Sequence, residues 1–189
     1  MKIIPTELSG VVIIEPKLFE DERGYFFESF REDIFQNAVA PIHFVQDNES
    51  CSQRGVVRGI HFQVPPKAQA KLVRVVQGEV IDVAVDLRQK SPTYGKFVAV
   101  RLSAENKRQF FLPEGFGHGF VALSPQAIFQ YRCSNSYAPE CEGGIDAFDP
   151  DLGIDWGISS AEAVRSEKDR HRTPFKDFKS PFLWTNVSL

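Results

Sequence analysis

Cysteine is scarce in this chain. There are three, Cys51, Cys133 and Cys141, an odd number without C-x-x-C spacing, so neither a disulfide framework nor a zinc site is indicated and reduced thiols are expected. Histidine is scarce too, at four residues. The H-x-H pattern with a later glutamate that a metal-binding small β-barrel offers is missing: two residues past His61 stands Gln63, and His118 has no companion nearby. No metal and no cofactor are therefore expected. Positive charge is not in excess, with 22 Lys and Arg against 25 Asp and Glu and a net charge of -3. A chain of that balance lacks the basic footprint for a nucleic-acid polymer, while a local basic pocket for a small anion is allowed. Long apolar runs are lacking as well. The opening MKIIPTELSG is broken by a proline and a glutamate, and reads as neither a signal peptide nor a membrane span. A cytoplasmic location without membrane partners is the expectation. No internal repeat or low-complexity tract is present.

Strand patterns fill most of the 189 residues, a length that suits one domain with a substantial core. VVIIEP (Val11–Pro16) is apolar and β-branched, and the turn DERG (Asp21–Gly24) leads into YFFESF, where Phe26, Glu28 and Phe30 alternate with Tyr25, Phe27 and Ser29. REDIFQNAVA has Ile34, Phe35 and Ala38 at helical spacing and predicts a short surface helix ended by Pro41. HFVQDNES resumes the strand pattern with Gln46, Asn48 and Ser50 on one face. EVIDVAVDL alternates Ile81, Val83 and Val85 against Asp82, Ala84 and Asp86, which predicts one buried and one polar face. KFVAVRL, RQFFLP, HGFVALS and AIFQYRC follow at short intervals. Roughly ten strands spaced about 8 to 12 residues apart indicate a mainly β sandwich or barrel with a few short helices. From about Asn135 the composition turns to Gly, Pro, Asp and Ser, predicting a core over about 1–134 and a loop-like wrapping segment over 135–189, with a helical turn or two in AEAVRSEKDRHR.

The stretch Arg58–Arg74, RGIHFQVPPKAQAKLVR, concentrates the chemistry. Two short strands joined by a proline-rich connection would put His61 and Gln63 on one face, and Lys71, Val73 and Val75 on one face of the next strand. A base and a cation would then share a cavity wall. Arg58 has the opposite parity, and a bulge at Gly59 is expected to re-aim it. Taken singly, these residues have plainer readings: His61 as a hydrogen-bonded histidine in a half-buried strand, Lys71 as a strand-edge lysine, Tyr131 as core aromatic, Asp169 as a solvated charge.

Taken together, the segments EPKLFEDERGYFFESF (15–30), FVQDNES (44–50), RGIHFQ (58–63), KLVRVVQGEVIDVAVDLR (71–88), LPEGFGHGF (112–120) and SEKDR (166–170) closely resemble the dTDP-4-dehydrorhamnose 3,5-epimerase family, in collinear order over nearly the whole chain. The resemblance implies a single cupin-like jelly-roll domain over 1–189, a homodimer and metal-free chemistry. It implies that dTDP-4-dehydro-6-deoxy-D-glucose is converted to dTDP-4-dehydro-L-rhamnose, the precursor of dTDP-L-rhamnose for cell-surface polysaccharide. Proton removal beside the C4 ketone needs a base, a group to hold enolate charge and an acid on the other face of the ring. The matching positions are His61 as base, Asp169 as its orienting partner, Lys71 facing the C4 oxygen and Tyr131 as acid. Arg23 and Arg58 match phosphate contacts, and Glu28, Gln46, Asp47, Asn48, His118, Glu142 and Lys168 surround the nucleotide and sugar, with Phe27 a candidate for stacking on thymine. The chain departs from the family's usual pattern at Phe62, Arg132 and Cys141. Alternatives are a relative inverting only C3 or only C5 or using another nucleotide base, a nucleotide-sugar or carbohydrate binding module without turnover, and, disfavoured by the missing ligands, a metal-dependent cupin oxygenase.

Overall fold

Runs rich in Val, Ile and Phe become strands because branched and aromatic side chains pack well on a pleated surface. A computed structural model describes residues 1–185; the last four residues of the predicted wrapping segment lie outside the described residues. Among the described residues thirteen strands form, more than the roughly ten expected. Six make one antiparallel sheet: β1 (Lys2–Pro5), β2 (Val12–Glu15), β10 (Gln109–Leu112), β7 (Lys71–Gln77), β12 (Gln126–Cys133) and β5 (Gln46–Gln53), in that spatial order. Five make the second: β13 (Glu142–Gly144), β6 (Val57–Gln63), β11 (Phe116–Ala122), β8 (Glu79–Asp86) and β9 (Phe97–Ser103). A separate hairpin pairs β3 (Phe19–Asp21) with β4 (Gly24–Phe26). The mainly β, jelly-roll reading holds.

Period-two alternation sorts the side chains into layers. Val73, Val75, Val80, Ala84, Phe110, Phe120 and Phe129 fill the space between the two sheets. Leu72, Phe111 and Ile14 face outward from the six-stranded sheet and are covered by Phe35 of α1 (Glu32–Ala38), the helix expected before Pro41. The hairpin strand ends at Phe26, so Phe27 to Phe30 do not continue the strand predicted there. Phe30 instead leaves the strand direction to pack on Phe35 and Phe44.

Two expectations need correction. The polar face predicted for β8 is not solvated: Asp82 and Asp86 are fully buried, because that face is the sandwich interior. The opposite face, with Val83 and Val85, is buried beneath the segment after residue 135, so the wrapping segment is an apolar layer on the sheet rather than a surface loop. Ile145, Ala147, Leu152, Trp156, Ala163 and Phe182 from that segment form one cluster with Ile60, Phe62, Val83 and Val85. Trp156 is 2 % exposed and its indole N–H donates to the Ala147 carbonyl at 2.7 Å. The segment is irregular in backbone yet apolar at the positions that touch the sheet. Short pieces of order remain in it, β13 and α2 (Glu167–Arg170), the latter capped by Ser166.

The expected bulge is present. His118 pairs with His61 and Phe120 with Arg58, so three residues of β6 span two of β11. Gly59 supplies the extra residue at φ +131°, and a Cβ there would lie 2.5 Å from Gly119 Cα. Arg58 and His61 consequently project to the same side. No helix among the described residues is long and apolar enough to cross a membrane.

If the outer layer stabilises the sheet as this packing implies, Trp156→Ala lowers the unfolding free energy by about 3–5 kcal/mol, the usual cost of emptying a buried aromatic site. Denaturant unfolding measures it, and a loss below about 1 kcal/mol would return the segment to a surface ornament.

Candidate active site

At one end of the sandwich the sheets part around a cavity of about 330 Å³, lined from both sides. The five-stranded sheet contributes His61, Gln63 and Glu142; the six-stranded sheet contributes Gln46, Asn48, Lys71, Tyr131 and Cys133. An adjoining groove of about 460 Å³ carries Arg58, Lys168 and Arg172 beside His61, Asp169 and Glu142.

His61 sits at the junction. Its Nε2 lies 2.6 Å from Asp169 Oδ1, a contact spanning 108 residues of sequence. A carboxylate only accepts, so Nε2 carries the proton and Nδ1 keeps its lone pair. Burial pushes the His61 pKa below the ordinary imidazole value of 6.5, outweighing the opposing pull of Asp169. Asp169 is buried. Burial works against its ionisation, but hydrogen bonding to His61 and to the Ser166 side chain holds its pKa below the usual carboxylate range.

Lys71 is the cross-strand neighbour of Cys133, and its ammonium stands 5.8 Å from the centre of the Tyr131 ring. Burial pushes its pKa down, with Cys133, Asp82 and Glu142 resisting. Burial pushes the Tyr131 phenol up, so it holds its proton at neutral pH. Glu142 is saturated by donors: Lys168 at 2.7 Å and the Tyr137 hydroxyl at 2.7 Å on one oxygen, Arg172 at 2.6 Å on the other. Burial opposes its charge, yet these partners bring its pKa down to about 2.

Of the expected site residues, His61, Lys71, Tyr131, Gln46, Asn48 and Glu142 line the cavity, and Arg58, Lys168 and Asp169 the groove. Arg58 Nε donates to Ser52 at 3.0 Å. His118 lies deeper, its Nε2 held 2.9 and 3.0 Å from the two oxygens of Asp82 and its ring stacked on Phe129. Asp47 does not reach the cavity: alternation along β5 turns it to the outer face, where Arg132 is 3.5 Å away. Nor do Arg23 and Glu28 within one chain. Arg23 sits in the exposed hairpin turn, forked onto Asp21, and Glu28 pairs with Arg31. Phe27 lies under Arg74 rather than in the cavity. Of the departures, Phe62 borders the cavity while its ring packs on Phe178 and Phe182, and Arg132 covers Phe30.

Several contributors escaped the sequence. Asp82 shares the inward parity of β8, where an aspartate in an alternating strand reads by composition as polar surface. Tyr137, 54 % exposed at the cavity rim, is positioned by its N–H donating to Gln46 and its hydroxyl donating to Glu142. Gln63 braces the same loop by accepting from the Ala138 N–H at 2.8 Å and donating to the Ser136 carbonyl at 3.3 Å, and ties it to the Lys67 carbonyl at 2.6 Å. Nothing in the local pattern around 137 or 172 marks either residue. Among the described residues no three or more His, Cys, Asp or Glu side chains gather as a metal-ligand set.

The arrangement can move protons on a small molecule held between two walls: a neutral imidazole with a free lone pair on one, a protonated phenol and an ammonium on the other. Comparison with known proteins agrees in kind. The family model described as dTDP-4-dehydrorhamnose 3,5-epimerase matches residues 5–177. A protein of that name from Methanothermobacter thermautotrophicus is 54% identical over 177 residues, 93% of this chain and 95% of that one. The crystal structure of the Elizabethkingia anophelis dTDP-4-dehydrorhamnose 3,5-epimerase superimposes with a TM-score of 0.89 at 52% identity, covering 94% of this chain and 97% of that one. The Legionella pneumophila dTDP-6-deoxy-D-glucose-3,5-epimerase, solved in complex with dTDP-4-keto-L-rhamnose, gives a TM-score of 0.93 at 45% identity, covering 97% and 98%.

The geometry predicts that the His61 imidazole titrates below 6.5. Two-dimensional NMR of labelled imidazole groups across pH measures this, and a value above 6.5 would mean that the Asp169 ion pair, not burial, governs the ring.

Proposed function

The chain belongs to the dTDP-4-dehydrorhamnose 3,5-epimerase family, and from that premise we propose how its cavity converts dTDP-4-dehydro-6-deoxy-D-glucose to dTDP-4-dehydro-L-rhamnose. The observation that carries the mechanism is the placement of His61 and Tyr131 on opposing sheets across one cavity. A hydrogen on carbon beside a ketone is acidic only if the resulting enolate is stabilised. His61 Nδ1 takes that hydrogen as a proton, and the imidazolium formed is held by Asp169 through the 2.6 Å contact. Charge moves onto the C4 oxygen, where the Lys71 ammonium meets it. A poorly hydrated cation there is worth more than in water, and its lowered pKa lets it share a proton with the oxygen. Tyr131 returns a proton to the carbon from the other face, inverting it. Each inversion leaves His61 protonated and Tyr131 deprotonated, so both exchange with solvent before the next carbon reacts.

The anionic end of the substrate suits the groove, where Arg58 offers a planar fork and Lys168 a point charge to a diphosphate. Tyr137, with an exposed ring at the rim, suits stacking on the nucleobase. Homodimer formation is part of the proposal. Phe19, Tyr25 and Phe26 of the hairpin are 54, 57 and 68 % exposed, apolar surface that favours burial against a second copy. Such pairing gives Arg23 and Glu28 a route to the partner's cleft that they lack in their own.

Incubation with dTDP-4-dehydro-6-deoxy-D-glucose in heavy water is expected to place deuterium at both C3 and C5, whereas His61→Ala binds dTDP but loses label by about 10²–10⁴-fold or more. Label at one carbon only identifies a monofunctional epimerase; tight binding with no label at either identifies a binding module. Analytical ultracentrifugation is expected to give twice the chain mass, and a monomer at micromolar concentration sinks the shared-cleft arrangement.

A further inference from the structure

Arg172 is absent from every motif that identified the site, yet its guanidinium lies where the two halves of the cleft meet. The chain reaches it two residues past α2 and then runs beside β13, held by a parallel bridge between Ile145 and Thr173 and by the Asp146 N–H donating to the Thr173 carbonyl at 3.1 Å. The side chain is 10 % exposed. Its slot exists because residue 144 is glycine: a Cβ there would lie 2.6 Å from Arg172 Nε and 2.8 Å from Cδ. From that slot Nη2 donates to Glu142 at 2.6 Å and Nε points to Asp169 Oδ1 at 3.4 Å, the oxygen that also holds His61. The other oxygen of Glu142 holds Tyr137 and Lys168. One continuous chain of polar contacts therefore runs Tyr137, Glu142, Arg172, Asp169, His61.

A buried carboxylate with a single neutral partner is costly to keep ionised, and a fixed guanidinium spanning two carboxylates lowers that cost for both while restricting their rotation. We propose that Arg172 is a positioning residue for the epimerase reaction: it fixes the Asp169 carboxylate behind the base and joins it mechanically to Glu142, the carboxylate that orients the nucleotide end of the groove. The inference rests on the epimerase reading for its kinetic part alone. When an anionic diphosphate draws Lys168 away from Glu142, Arg172 retains Glu142, and the base keeps its partner while substrate loads. Arginine is required for this because its Nε and Nη2 address two acceptors at once, which an ammonium cannot do from one position.

The charge has a second effect with a definite sign. Besides Arg172, the groups around the His61 imidazole are Asp169 and Lys168 from α2, Arg58 from β6, Lys71 from β7, Tyr131 and Cys133 from β12, Glu142 from β13 and His118 from β11. Arg172 and Lys71 disfavour a proton on the ring, and Asp169 favours it. Removing Arg172 lets His61 hold its proton more tightly, so the acid limb of kcat/KM moves to higher pH.

The test compares Arg172→Gln and Arg172→Lys with the wild type, alone and in an Asp169→Asn background, by deuterium wash-in across pH, dTDP binding and NMR titration of His61. Arg172→Gln is expected to lower kcat by about 10–100-fold, the usual effect of losing a group that orients a functional ligand, to shift the acid limb upward and to keep dTDP binding. Arg172→Lys is expected to restore the position of the acid limb but only part of kcat. In the Asp169→Asn background, loss of Arg172 is expected to change kcat by less than about twofold, since the two act through one carboxylate. The proposal is overturned if Arg172→Gln keeps wild-type kcat and pH profile, if its loss multiplies undiminished on Asp169→Asn, or if the rate falls only in proportion to dTDP-competent protein with no shift in the profile. Should the wild type wash in no label at all, the epimerase reading fails instead. The His61 titration then still decides: an upward shift in Arg172→Gln upholds the coupling and an unchanged curve removes it.

Discussion

Burial of both faces of the five-stranded sheet is the constraint on which the rest depends. One face packs on the other sheet through Phe120, Phe129 and Val80; the other packs under the segment that carries Trp156, Ile145 and Phe182. Because that segment is anchored by apolar contact, its later residues are delivered to a defined place. Asp169 reaches His61 across 108 residues for this reason, and not through any local preference. A partner supplied by the C-terminal segment makes the chemistry of the cavity contingent on the outer layer, so stability and activity share one cause.

Within the sandwich, alternation does a second job. Residues of one parity on β7, β8, β11 and β12 point inward, and away from the cavity that parity is largely apolar, as Val73, Val75, Val80, Ala84, Phe120, Ala127 and Phe129. At the open end the same parity becomes Gln46, Asn48, Lys71, Tyr131, His61 and Glu142. The cavity is thus the polar continuation of the core, which explains its perturbed ionisation: His61, Lys71 and Tyr131 are all pushed toward their neutral forms by burial. Asp82, fully buried beneath His118, extends this polar region into the interior. Groups that would be ordinarily solvated at a strand edge are shifted by their surroundings in the direction that the proposed roles of base, electrophile and acid require.

The bulge at Gly59 shows how small a feature sets the electrostatics. Without the extra residue Arg58 would leave on the outer face with Ile60, among the apolar side chains that meet Trp156. With it, Arg58 flanks His61 and contributes charge to the groove. A left-handed φ and a close backbone approach to Gly119 leave no room for a side chain at that point.

Strand periodicity, turn residues and the collinear motifs by themselves determined the mainly β class, the helix before Pro41, the bulge and the identity of the family, because these depend on local pattern or on inherited order. They placed His61, Lys71 and Tyr131 in strands whose parity could be counted. Parity already set Asp47 opposite Gln46 and Asn48, but it could not say which face of β8 met water, because facing is relative to a second sheet that the strand's own residues do not describe. Tertiary structure alone decided that the Gly- and Pro-rich segment is an apolar layer, that Arg172 joins Asp169 behind the histidine, and that Arg23 and Glu28 lie outside the cleft of their own chain. Those outcomes depend on contacts between residues far apart in the chain, whose energies come from burial and charge pairing in space, and no window of sequence contains both partners.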